Sequence, residues 1–209
     1  MDLFGPTSAS GWQPLPLPGG ELSLWSPWLS GDEADALLAE LQADIAWEVH
    51  RIRMFGREVD SPRLSCWIGD KDATYVYSRT RFEPHPWTPA LASLRDRVAQ
   101  ACGARFNSVL ANLYRSGRDS MGWHSDNEPE LGPQPVIASL SLGTERRFRL
   151  KPRAENAHAG VLGIVLGHGS LLRMAGDTQR LYLHDLPRTR EAAGPRLNLT
   201  FRWVDASLR

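Results

Sequence analysis

Between residues 30 and 46 apolar side chains recur at helical spacing: Ala34, Leu37, Leu38, Leu41 and Ile45 share one face, and Ser30 with Glu33 forms a capping box at its start. A second helix is predicted from Thr88 and Pro89, as N-cap and first turn, through Leu91, Leu94 and Val98 to a stop at Gly103. Beyond Gly103 the period falls to two. Short β-branched or aromatic runs at 106–114, 136–142, 146–150, 161–166, 170–174, 180–184 and 196–204 predict strands. Residues 5–28, rich in Pro, Gly and Trp, have no period and read as an extended arm that packs its tryptophans on the body. Between the helices, 47–53 and the stretch from Glu58 onward read as the arms of a hairpin whose tip is Met54, Phe55 and Gly56. Many short strands after two helices, without internal repeat or strand-helix alternation, predict a mainly β, α+β fold: an antiparallel double sheet or jelly roll backed by helices.

Composition narrows the class. At 209 residues, 42% hydrophobic and 23% charged, the chain has the make-up of one folded domain with an arm, and the disordered, collagenous and disulfide-scaffold classes are excluded. No window reaches the ~18 apolar residues of a membrane span, and residues 1–20 lack the basic and apolar regions of a signal peptide. The expected location is therefore the cytosol or nucleoid, or the nucleus of a eukaryote. Cys66 and Cys102 are the only cysteines, and read as reduced, partly buried thiols. The formal net charge of zero conceals a division. Residues 1–50 hold eight acidic and no basic side chains, which leaves 24 basic against 16 acidic in the remainder. Of those 24 basic residues 22 are Arg, whose flat fork pairs bidentately with phosphate or carboxylate, so the body is suited to an anionic partner.

Candidate chemistry begins with His124 and Asp126, which in extended backbone project to the same side, as two ligands of one metal must. His184, in a predicted strand, is a candidate third. Two His and one carboxylate on one face of Fe(II) leave positions open for a co-substrate and O2. A His-x-Asp pair alone is a weak signal in a chain with six His. Stronger support lies in RLNLTFR at 196–202. Arg196, Asn198, Thr200 and Arg202 alternate there with Leu197, Leu199 and Phe201, so one face packs the core while the other turns inward two guanidiniums, an amide and a hydroxyl. Buried arginines need anionic partners, and a dicarboxylate such as 2-oxoglutarate offers one at each end. Asn112 and Tyr114, two apart on one strand, are placed to add hydrogen bonds. His168 is a rival ligand by residue type, but its GHGS context reads as a turn.

These residues carry a resemblance. The NLY of Asn112 and Tyr114, HSDNE around His124 and Asp126, PVIASLSLG at 135–143, HGSLL at 168–172, YLHDLP around His184 and PRLNLTFR at 195–202 resemble the AlkB family of iron and 2-oxoglutarate-dependent nucleic-acid dealkylases. The resemblance implies a double-stranded β-helix over 105–209, N-terminal helices and nucleotide-recognition lid hairpins over 30–104, and an arm at 1–29. It implies that His124, Asp126 and His184 bind Fe(2+) and that Asn112, Tyr114, Arg196, Asn198, Thr200 and Arg202 hold 2-oxoglutarate, with O2 as the other co-substrate. His168 falls outside that ligand set.

The substrate side follows in the same way. A base inside a duplex must be flipped out to reach the metal, and the vacated stack filled. Met54, Phe55 and Gly56 have the chemistry of an apolar wedge and are similar to the finger of family members that act on duplex DNA. Tyr75 and Tyr77 resemble the family's lid aromatics, and Asn127 and Glu128 are placed to read base edges, although Asn127 stands where the duplex-acting branch has an acid. Arg79, Arg81, Arg115 and Arg118 are candidate phosphate contacts. The expectation is a monomeric oxidative demethylase of alkylated DNA, duplex over single strand, acting on lesions such as 1-methyladenine and 3-methylcytosine. The same chemistry on RNA, protein or lipid, and a catalytically silent nucleic-acid-binding module, stand as alternatives.

Overall fold

A computed structural model describes residues 11–49, 51–54, 57–77, 80–153, 160–190 and 194–208, with the backbone alone for 51–59 and 75–82. In chain order the first elements are β1 (Gln13–Pro14), β2 (Glu21–Trp25), α1 (Gly31–Asp44), β3 (Arg51–Met54) and β4 (Arg57–Asp60). Next come β5 (Leu64–Gly69), β6 (Tyr75–Tyr77), β7 (Thr80–Phe82), α2 (Pro89–Cys102) and β8 (Ser108–Tyr114). The remainder is β9 (Met121–His124), β10 (Ile137–Gly143), β11 (Arg146–Pro152), β12 (Leu162–Leu166), β13 (Ser170–Ala175), α3 (Thr178–Leu181), β14 (Tyr182–Leu186) and β15 (Arg196–Arg202).

Both long helices start and stop where local chemistry dictates. Ser30 Oγ accepts from the Glu33 N–H, and Thr88 Oγ1 from the Leu91 N–H, each at 3.3 Å. Gly103 ends α2 at φ 62°, a left-handed conformation that costs glycine nothing. Thr88→Ala is expected to remove about 1 kcal/mol of stability, read as a lower denaturant midpoint at unchanged slope.

The strands form two antiparallel sheets, β1-β2-β13-β10-β15-β8-β5 and β12-β11-β14-β9, with separate hairpins β3-β4 and β6-β7. Alternation assigns each face of the larger sheet. Leu197, Leu199 and Phe201 of β15, with Ala138, Leu140 and Leu142 of β10, pack on Leu91, Leu94 and Val98 of α2 and Leu41 of α1. The opposite face gives Tyr114, Ile137, Leu172 and Met174 to a second core with Phe148, Leu150, Ile164 and Leu166 of the smaller sheet. The polar side chains of β15 point into the space between the sheets, and every residue of this strand is buried.

Three features differ from the periodicity. The arm contributes strands: β2 pairs with β13, and Trp12 donates from Nε1 to the Ala101 carbonyl at 3.0 Å. Residues 180–181, read as strand, belong instead to the helical turn α3. Thr178 Oγ1 accepts from the Glu21 N–H and donates to the Glu21 carbonyl, which fixes the backbone in a turn before the strand begins at Tyr182. β9 was not marked by any period; four residues next to a glycine and aspartate-rich loop are too short to show one.

Candidate active site

Pairing registers bring the site together. β15 lies beside β8 with Arg196 opposite Tyr114 and Asn198 opposite Asn112, so four polar side chains meet on one sheet face. In the smaller sheet His184 of β14 stands opposite His124 of β9, their ring centroids 4.2 Å apart, and Asp126 follows two residues later. One ligand atom from each of His124, Asp126 and His184 lies within 4.8 Å of the others. All nine residues that sequence pointed to for iron and co-substrate line one cavity between the two sheets.

The donor set suits a divalent metal in its protonation as well as its geometry. His124 Nδ1 sits 2.8 Å from the Gly122 carbonyl; donating there leaves Nε2 with its lone pair for a metal. Burial above all, then the neighbouring His124, push the pKa of His184 down to about 3, so the ring is neutral at neutral pH. Burial also lowers the pKa of His124. For Asp126 burial opposes ionisation, but the Arg202 guanidinium and both imidazoles outweigh it and hold the carboxyl at about 2. Arg202 donates to Asp126 Oδ2 from Nη2 at 2.6 Å and from Nε at 3.1 Å. Neutral imidazoles and an ionised carboxylate are the states that bind metal.

The same shifts set acid sensitivity. Below the ordinary histidine value of 6.5 the unfolded chain takes up a proton that folded His184 refuses until about pH 3, so stability falls as pH drops through that window. Asp126 adds a further loss between 3.8 and about 2. Melting temperatures of the metal-free protein are expected to decline from pH 7 to pH 4, and less steeply in His184→Ala.

The other end of the cavity is built for an anion. Arg196, 2% exposed, donates to Ser141 Oγ at 2.9 Å and lies over the Tyr114 ring, 5.4 Å from its centroid. Its Nε has no hydrogen-bond partner among the described residues. Burial lowers its pKa to about 10, which still leaves it charged at neutral pH. Asn198 donates to Ser139 Oγ at 2.7 Å and accepts from Thr200 Oγ1 at 3.0 Å. Asn112 Oδ1 accepts from Arg63 Nε at 2.7 Å. These contacts leave two buried guanidiniums facing a polar cavity, a fit for a dicarboxylate.

Several of these partners had no individual signal in sequence. Ser139 and Ser141 could have been found from the polar alternation in ASLSLG, whereas Arg63 and Gln179 reach the site only through tertiary pairing. His168 is a turn residue, as its context suggested: its Nδ1 accepts from the Gly143 N–H at 2.8 Å, and Gly143 has φ 84° with the Pro195 carbonyl where a Cβ would stand. Met54, Tyr75 and Tyr77 are placed by backbone alone, at the ends of β3 and β6, while Phe55, Gly56 and Arg79 lie outside the described residues. Asn127 is exposed and accepts from Ser125 Oγ at 3.1 Å, and Glu128 precedes the turn at Pro129–Leu131. Arg115 is held by Asp119 at 2.8 Å, and Arg118 is exposed.

The family model for the 2OG-Fe(II) oxygenase superfamily matches residues 21–202. The human alpha-ketoglutarate-dependent dioxygenase alkB homolog 3 is 40% identical over 188 residues, which cover 87% of this chain and 65% of the relative. The chain belongs to the AlkB family of 2OG-Fe(II) oxygenases. The mouse DNA oxidative demethylase ALKBH2 is 36% identical over 180 residues, 82% of this chain and 75% of the relative. A solved structure of OsALKBH1 has the same fold, with a TM-score of 0.62 at 19% identity over 91% of this chain and 99% of that one. The chain therefore spans less than two thirds of the human relative's length. Membership of this family brings Fe(2+), 2-oxoglutarate and O2 as the family's metal and co-substrates. Among the described residues no helix is long and apolar enough to cross a membrane.

Proposed function

We propose that this protein is an oxidative demethylase of alkylated nucleic acid. The observation that carries the reading is the His124–Asp126–His184 cluster facing buried Arg196 and Arg202 across one cavity. His124, Asp126 and His184 would hold iron through two neutral imidazoles and a carboxylate. Arg196, Tyr114 and Asn112 would grip the far carboxylate of 2-oxoglutarate, while Asn198, Thr200 and Arg202 orient the rest. Iron with 2-oxoglutarate and O2 supplies hydroxylation of an N-methyl carbon, one oxygen atom ending in succinate and the other in formaldehyde as the base is restored. Arg202 keeps the Asp126 carboxylate in a single rotamer, and the apolar side chains between the sheets exclude bulk water.

The nucleic-acid substrate is inferred from the relatives, of which the mouse protein is named a DNA oxidative demethylase and the human one a dioxygenase of the alkB type. The arginine-rich body agrees with a polyanion. DNA duplex is the form proposed, with 1-methyladenine and 3-methylcytosine as lesions, Tyr75 and Tyr77 at the flipped base, Asn127 and Glu128 at its edge, and Met54, Phe55 and Gly56 as the wedge.

The test is anaerobic reconstitution with Fe(II) and 2-oxoglutarate, then admission of air, with single-stranded and duplex oligonucleotides bearing 1-methyladenine. Mass spectrometry is expected to show loss of one CH2 per lesion, absent in His124→Ala. Phe55→Ala is expected to slow duplex repair more than single-strand repair; equal slowing overturns the wedge. Succinate formed while every oligonucleotide keeps its methyl group overturns the nucleic-acid reading.

A further inference from the structure

The ligand Asp126 lies two residues beyond β9, past the His124–His184 pair with which the ladder of that strand ends. A buried backbone N–H at such a place must find a partner outside the sheet. It finds Gln179 of α3, whose Oε1 accepts from the Asp126 N–H at 3.0 Å. Gln179 is 1% exposed, and its Nε2 turns the other way to Met174 Sδ at 3.4 Å. A backbone donor on one side fixes which end of the amide is oxygen.

The helical turn that carries Gln179 is itself held. Thr178, also 1% exposed, exchanges two hydrogen bonds with the Glu21 backbone at 2.9 and 3.0 Å, and Tyr182 donates its hydroxyl to the Pro18 carbonyl at 2.7 Å. α3 runs directly into β14, which carries His184. One short element therefore bears on two of the three ligands, on Asp126 through an amide and on His184 through the chain.

We propose that Gln179 is a positioning residue for the metal centre: it fixes the backbone of Asp126, as Arg202 fixes its carboxylate, and the Glu21–Thr178 clasp holds Gln179 in place. This rests on His124, Asp126 and His184 being the metal ligands. Partners hydrogen-bonded to ligand residues are worth about tenfold to a hundredfold in metal affinity.

The test uses the whole chain and Mn(II) alone as probe, with free Mn(II) read by electron paramagnetic resonance and metal-free stability read by thermal unfolding. Gln179→Met keeps the volume but loses the oxygen acceptor, and Mn(II) binding is expected to weaken about tenfold to a hundredfold. Gln179→Glu keeps an oxygen at the same reach and is expected to bind close to wild type, a rescue that a purely packing role would not produce. Thr178→Val leaves every cavity side chain in place and is expected to weaken Mn(II) in the same direction by a smaller factor. Wild-type affinity in both Gln179→Met and Thr178→Val overturns the proposal; should Gln179→Met not fold, wild-type affinity in Thr178→Val alone overturns it. His184→Ala separates the two levels, because equal Mn(II) binding by wild type and His184→Ala overturns the ligand assignment itself, whatever the Gln179 variants do.

Discussion

Asp126→Ala is expected to abolish succinate formation and, unlike His184→Ala, to weaken the metal-free fold severely as well. Both substitutions remove one of the three proposed metal ligands, so turnover should fall by more than the roughly hundredfold that attends loss of an outer partner. Their structural costs differ. Asp126 is the carboxylate that meets Arg202, and both side chains are almost wholly enclosed, at 6% and 5% exposure. Removing it leaves a buried guanidinium without its principal counter-charge, a change that costs about 3–5 kcal/mol in buried pairs. His184 is held neutral, so its loss leaves no stranded charge and mainly a small void. Succinate assays together with thermal unfolding of the metal-free variants check both halves. Similar destabilisation by the two substitutions would refute the view that the Asp126–Arg202 pair carries the electrostatic balance of the site.

Arg196→Met is expected to split KM from stability. Hydrogen bonds to charged groups contribute about 1.5–3 kcal/mol, so losing the clamp on one carboxylate should raise the KM for 2-oxoglutarate roughly tenfold to a hundredfold, with a smaller change in kcat. The metal-free protein should nevertheless be as stable as wild type or more so. Arg196 is an enclosed cation that meets a hydroxyl and a ring face but no carboxylate among the described residues, and replacing such a group by an apolar side chain of similar length is often neutral or favourable. Initial rates against 2-oxoglutarate concentration and a denaturant titration decide the matter. An unchanged KM would remove Arg196 from the co-substrate site.

Much of this site was legible because it rests on local pattern. Strict alternation along 196–202 separates core from cavity residues with no knowledge of what lies opposite, and the observed strand buries Leu197, Leu199 and Phe201 on one side and the polar set on the other. The helix boundaries at Ser30, Thr88 and Gly103 follow from capping chemistry that acts within four residues. What escaped depends on partners far along the chain. Residues 180–181 continue the alternation of the strand that follows them, and only the Glu21 backbone, 157 positions from Thr178, makes Thr178 the start of a turn that includes them. Arg63 meets Asn112 across 49 residues and Gln179 meets Asp126 across 53, and neither side chain carries a mark of its destination. β2 has five residues in an arm rich in Pro and Gly, and its strand character comes from β13 beside it.

The two halves of the site differ in how the sheets hold them. β15 is paired on both sides within the larger sheet, whereas β9 is the last strand of the smaller one and is joined to β14 through an irregular register. Amides of β15 should therefore exchange with solvent only when the whole molecule opens, and those of β9 through local fraying. With the ligands and co-substrate residues proposed above, metal would enter and leave on the side of His124 while the arginine cradle stays folded, so that resistance to chelators would be a property of the edge strand and the hold on a dicarboxylate a property of the centre.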